Sequence, residues 1–157
     1  RKDRGNSAAF ALWHLGALGS RGVERERILA DLDAASRADD ETVRLWAVNG
    51  LAVFGGEATV PVLLEHAAHD PSTAVAERAF CALAASGTLH IGERYTAIPG
   101  LVDIAAASAP TDPRHGWAFQ ALREISGLYD VADDVGQWRT RLQDVGLLDP
   151  QRTAVAR

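Results

Sequence analysis

The chain has 157 residues and a formal net charge of −5; 47% of the residues are hydrophobic and only 6% aromatic. That apolar share excludes a disordered polymer, and the length suits one domain burying roughly 68–70% of its unfolded surface. The 16 basic residues are dispersed and outnumbered by 21 acidic ones, so the basic stripe that binds nucleic acid is not expected. Cys81 is the lone cysteine, which excludes an internal disulfide and a thiolate zinc site. Every apolar run falls well short of the ~20 residues that cross a bilayer. No signal peptide is visible after Arg1-Lys2, and the compartment is left open, with the cytoplasm as the default.

The first helix carries Ser7, Ala11, Leu15 and Gly19 in register, with Gly16 and Gly19 read as stops. Trp13 and His14 are its bulky pair, either an end cap or an open surface. The second helix is predicted over about Val23 to Ser36, with Ile28, Leu29 and Leu32 inward. Asp40 is the expected N-cap of the third, its carboxylate taking a bond from a first-turn amide. Val43, Ala47, Leu51 and Phe54 then recur at three- and four-residue steps, and Gly55-Gly56 ends the stripe. Gly50 inside this helix costs up to ~1 kcal/mol against alanine, which predicts a close helix contact there. Thr59 is read as the next cap, with Pro61 in the first turn and Val60, Leu63, Leu64 and Ala67 on the buried side.

Asp70-Pro71 is expected to cap the following helix, with Val75, Ala79 and Leu83 as stripe and Gly87 as stop. Thr88–Tyr95 lengthens the next connection into an added turn or a projecting loop. It is either a binding feature or a spacer packed by Leu89, Ile91 and Tyr95. Pro99 opens another helix, and Asp112-Pro113 caps the one after it. The final helix begins at Asp134 with Gln137 three residues on, a capping-box spacing, and turns Val135, Trp138 and Leu142 inward.

These helices repeat. Ala11/Leu15/Gly19, Ala47/Leu51/Gly55 and Ala79/Leu83/Gly87 are followed by Ala118/Leu122 with Ser126-Gly127, at steps of 36, 32 and 39 residues. Such a period is that of a helical-repeat solenoid, whose units bury their apolar faces against one another. One all-α domain is expected over residues 1–148, in units of about 4–37, 38–69, 70–108 and 109–145, with 149–157 as a tail.

The segments Asp40–Gly55 and Thr59–Leu64 resemble a HEAT repeat. A valine–arginine, Val43-Arg44, precedes the alanine–leucine stripe, and Pro61 opens the second helix. Unit three is similar at Asp70, Val75, Ala79, Leu83, Gly87 and Pro99, with Ala76 where the arginine belongs. The resemblance covers roughly residues 4–142. The second half is also similar to the C-terminal part of bacterial HEAT-repeat proteins, through Cys81-Ala-Leu83, Pro99, Trp117, Gln120-Ala-Leu122 and Trp138-Arg139. Thr140 stands where those relatives have an aromatic residue. The resemblance implies a right-handed α-solenoid of about four helix pairs, with the second helices lining a concave groove.

On that reading the binding candidates are Arg25, Arg27, Asp31, Glu65, His66, His69, Asp103 and Arg139, and the partner is a protein or peptide. Surface ion pairing would account for the same charges. His66 and His69 are a weak metal pair, since a divalent ion needs three or four converging ligands. They are otherwise two exposed histidines at a helix end. Trp46 and Trp117, equivalent to Phe10 and Arg78, form either a gripping ladder or inter-repeat packing, and periodic bulky residues favour packing. Cys81 is expected to be a buried structural thiol. The chain contains no phosphate loop, HExxH motif or recognisable Ser-His-Asp grouping, so no cofactor and no catalysis are expected. The alternatives are an enzyme like the HEAT-like bilin lyases or DNA glycosylases, and a section of a longer solenoid without separate activity.

Overall fold

A computed structural model describes residues 2–150 of the chain, with side chains from Ser7 onward; residues 151–157 of the expected tail lie outside the described residues. The helices are α1 (Lys2–Ser20), α2 (Arg25–Ser36), α3 (Glu41–Phe54), α4 (Val60–His69), α5 (Thr73–Ala84), α6 (Ile91–Tyr95), α7 (Ile98–Ala107), α8 (Pro113–Ser126) and α9 (Val135–Asp144). Among the described residues there is no strand. Helices α1, α3, α5 and α8 pack in series as one layer. In the other, α4 touches α7 and α7 touches α9, while α2, α4 and α7 lie against α3, α5 and α8 of the first. This is an all-α solenoid, and its interior runs on from Ile28 and Leu32 to Trp138 and Leu142.

The alanine–leucine stripe makes that stacking possible. Ala47, Leu51, Ala79, Leu83, Ala118 and Leu122 are all fully buried, each leucine contributing on the order of 1.5–3 kcal/mol. The α1–α3 crossing is closest at two glycines. A Cβ on Gly16 would lie 2.2 Å from the Gly50 carbonyl oxygen, and one on Gly50 2.6 Å from that of Leu12. Gly50 therefore marks a close contact, as its position in a helix suggested. Gly16 is not a stop; it sits inside α1, which continues to Ser20.

The caps divide into expected and unexpected. Asp40, Asp112 and Asp134 accept from the amides of Val43, Arg114 and Gln137. Asp70 does not cap α5. Ser72 does, accepting from Val75, while Asp70 is turned inward. Thr59 is no side-chain cap either: a short 3-10 turn over Glu57–Thr59 precedes α4, and the Thr59 hydroxyl donates back to Gly56.

The connection after α5 neither projects nor hangs free. The Thr88 amide donates to Ala52 and its hydroxyl to Val53, satisfying carbonyls at the end of α3. Arg94, buried on α6, does the same for α5. Its guanidinium donates to Ala82 and Leu83 at 2.8 Å, to Ser86 at 3.1 Å and back to Leu89 at 3.1 Å. Leu89 is buried as the spacer reading required, but Ile91 and Tyr95 are exposed, and the main anchor is this arginine. Burial, more than any other effect, lowers the pKa of Arg94 from its ordinary value; the nearby Glu93 and Glu124 charges oppose that.

Candidate functional site

A groove of ≈ 1110 Å³ opens on the side of the second helices. Val60, Pro61 and Leu64 of α4 form one wall, and Pro99, Gly100, Val102 and Asp103 of α7 form its middle. Arg139 of α9 and Leu148 close the far side, with Tyr95 and Thr96 along the rim. Pro61 and Pro99 stand there for the same reason: each occupies a first helical turn, where a missing N–H leaves no bond unmade. Gly100 is small because a Cβ would come within 2.7 Å of the Leu64 side chain. The short helix α6 delivers Tyr95, an exposed residue at the groove. Glu57 and Asp103 are the groove's acidic groups and Arg139 its basic one. Apolar floor and opposed charges can hold an extended chain by burial and orient it by charge.

Of the candidate residues read from sequence, Asp103 and Arg139 meet in this groove; the other six do not line it. Arg25 is committed elsewhere. Its guanidinium donates to Gly19 at 2.7 Å and lies 4.4 Å from the centroid of the Phe54 ring, holding the α1–α2 turn onto α3. Arg27 pairs loosely with Glu24 across 3.8 Å, both well exposed. Asp31, Glu65 and His69 are exposed on α2 and α4. Arg141, two residues beyond Arg139 on α9, faces Asp130 at 3.5 Å. The groove's aromatic and proline contacts went unnoticed in the sequence, although Tyr95 lay in the one stretch where the repeat is longer.

His66 is the clearest departure from expectation, because it is buried instead of exposed. Its Nδ1 lies 2.9 Å from a carboxylate oxygen of Asp70, and its Nε2 2.9 Å from the hydroxyl of Ser36 on α2. Both ring nitrogens are thus engaged, and His66 cannot join the exposed His69 as a metal ligand. Among the described residues no group of three histidine, cysteine or acidic side chains could hold a metal ion. Ser36, His66 and Asp70 nevertheless stand in the order of a catalytic triad, a grouping that their spacing in the chain concealed. It is no nucleophile. Ser36 is fully buried and its hydroxyl donates to the Asp33 carbonyl at 2.7 Å, so no substrate reaches it.

Asp70 is instead the hub of a structural junction. Arg44 of α3 reaches it with two nitrogens at 3.2 Å, and the Ser72 amide donates to it at 2.9 Å. Arg114 of α8 adds a bond to the Asp70 carbonyl. Burial alone would raise the Asp70 carboxyl pKa. The bonds from Arg44, Ser72 and His66, with the Arg44 charge, outweigh that and hold it below the usual carboxylate range.

The profile of HEAT repeats matches residues 3–84 and again 30–123. The chain belongs to the HEAT-repeat family. No curated protein and no solved structure matches it. Arg44, which follows Val43 before the stripe, is used here for packing, through its bonds to Asp70. Trp46 and Trp117 are partly buried and also pack, Trp46 at 6.2 Å from Phe10 and Trp117 at 5.9 Å from Phe80. They form no continuous ladder, since Arg78 between them bonds Asn49 and Ser86. Phe10, Trp13 and His14 form an exposed cluster at the first repeat.

Cys81 is exposed, contrary to its reading as a core thiol. It sits with Glu77, Phe80, Trp117 and Glu124 between α5 and α8. Partial desolvation raises its pKa; the Arg78 charge opposes that, and Glu77 and Glu124 add to the rise. A raised thiol pKa is the opposite of what a nucleophile needs.

Proposed function

We propose that this HEAT-repeat chain is a non-enzymatic scaffold whose groove between α4, α7 and α9 receives an extended segment of a partner protein. HEAT repeats are commonly protein-interaction scaffolds. The observation that carries the reading is the groove itself: Leu64, Tyr95, Pro99 and Gly100 supply apolar contact, and Asp103 and Arg139 supply opposed charge. No helix among the described residues is long and apolar enough to cross a membrane. The nucleophile–base alignment at Ser36 and His66 is sealed from solvent.

The test is crosslinking from the groove. A photoreactive residue replacing Thr96 should trap a defined partner, and Leu64→Glu or Asp103→Arg should abolish the product. Glu65→Lys, on the same helix but outside the groove, should not. A partner captured equally by the groove variants would refute the site, and robust turnover of a bilin or of damaged DNA would refute the class.

A further inference from the structure

We propose that the groove selects a partner segment in the polyproline II conformation that carries a basic side chain and, three residues away, an acidic one; this rests on the scaffold reading above. Asp103 and Arg139 line the groove from neighbouring helices, α7 and α9, yet form no ion pair with each other. Arg139 is set apart by this. Among the described residues every other arginine except Arg21 is bonded to or paired with an acceptor of the chain. Arg139 is half-buried beside the groove and has no counterion among those residues. Asp103 is exposed, and Glu57, on the turn before α4, adds a second carboxylate in no ion pair on that side. The charges left unmatched therefore ask for a cation toward α4 and α7 and a carboxylate toward α9.

Spacing decides the conformation of the ligand. Asp103 and Arg139 fall near the middle of their helices, so they stand about one helix spacing apart, roughly 8–10 Å. In a polyproline II chain residues i and i+3 return to one face after three rises of ~3.1 Å, about 9 Å. A β-strand returns to one face at i+2, only about 7 Å away, and at i+4, about 13 Å away. Polyproline II is the extended form that fits. The floor beside the charges, Leu64, Pro99 and Gly100, has no side-chain donor or acceptor, which suits apolar residues at the two positions between them.

The probe is a capped, fluorophore-labelled peptide, Pro-Ala-Arg-Pro-Pro-Glu-Ala-Pro, titrated with the full chain. It should bind saturably. Placing one or three residues between its charges, or replacing either charge by glutamine, should weaken it about two- to fivefold, the size of an exposed ion pair. Asp103→Arg and Arg139→Glu should weaken it at least as much without lowering Tm, because neither side chain is bonded to another described residue. A probe with glutamate at both charged positions should recover on Asp103→Arg, and one with arginine at both on Arg139→Glu. Salt at about 1 M, where the Debye length is ~3 Å, should erase these differences. Equal binding at every spacing, or by a peptide without charges, overturns the proposal. So does a segment trapped from position 96 that lacks a basic and an acidic residue three apart, or that belongs to a second copy of this chain. If the probes fail while Leu64→Glu and Asp103→Arg still abolish crosslinking, the ligand chemistry is wrong and the scaffold reading stands. If crosslinking is indifferent to those variants as well, both fail.

Discussion

Replacing Asp70 by asparagine keeps the shape of the side chain and removes its charge, and the structure indicates what that costs. The Asp70 side chain is 1% exposed, and its carboxylate serves Arg44, His66 and the Ser72 amide together. Arg44 itself keeps only 11% of its side-chain surface. Asp70→Asn therefore strands a guanidinium in a place water barely reaches. Removing one member of a buried pair costs about 3–5 kcal/mol. In a domain of this size that is roughly a 6–20 °C drop in Tm at ~2–4 °C per kcal/mol, and a large part of a total near 5–15 kcal/mol. The dependence on pH makes the prediction specific. Because the folded carboxyl titrates below its unfolded counterpart, its contribution is complete above the unfolded value of about 3.9. It is lost as pH falls through the folded value. Urea titrations of both proteins from neutral to acid pH should show a wide gap that closes only below about pH 4. A gap under ~1 kcal/mol at neutral pH, or one that persists unchanged in acid, would falsify the assignment of Asp70 as the charged hub.

Three other perturbations probe independent parts of the molecule. Gly16→Ala pushes a methyl into the Gly50 carbonyl, backbone against backbone, and should cost at least the ~1–3 kcal/mol of an overpacked core. An unchanged urea midpoint would mean that α1 does not cross α3 there. Arg94→Met removes four bonds to carbonyls around the end of α5 and should destabilise by about 3 kcal/mol or more, given ~1.5–3 kcal/mol for each charged hydrogen bond. It should also expose 88–95 to limited proteolysis, and a protease-resistant connection would argue against the anchor. Cys81 should react completely with a disulfide reagent in the native protein, faster as pH rises past the ordinary thiol value of about 8.5. A requirement for denaturant would restore the buried thiol.

The groove joins parts of the chain that a linear reading treats separately. Tyr95 comes from the lengthened connection, Asp103 from α7, Arg139 from α9 and Leu148 from beyond the last helix. Each is ordinary in its own stretch. Asp103 and Arg139 were legible as charges on second helices, but so were Glu65 and Asp31, and nothing local distinguishes a charge over a groove from one over open solvent. The buried junction had a fainter trace. Leu63, His66 and Asp70 fall at helical spacing along the buried side of α4, and Arg44 follows Val43 in the repeat outline.

By itself the sequence determined the helices other than α6, their repetition and their stacking. Those follow from interactions within a few residues: apolar side chains at three- and four-residue steps, aspartates before first turns, and glycines with positive φ at Gly55 and Gly127. Tertiary structure alone decided which polar groups are inside. Asp70 could equally have capped α5, and it was drawn inward because Arg44, 26 residues away in the chain, lies beside it once α3 packs on α5. Cys81 shares a helix with the stripe but lies on its outer side, and the same period of 3.6 residues sets Ala79 and Leu83 inward. Local spacing defines a face; only the neighbour packed against that face decides whether water or protein covers it.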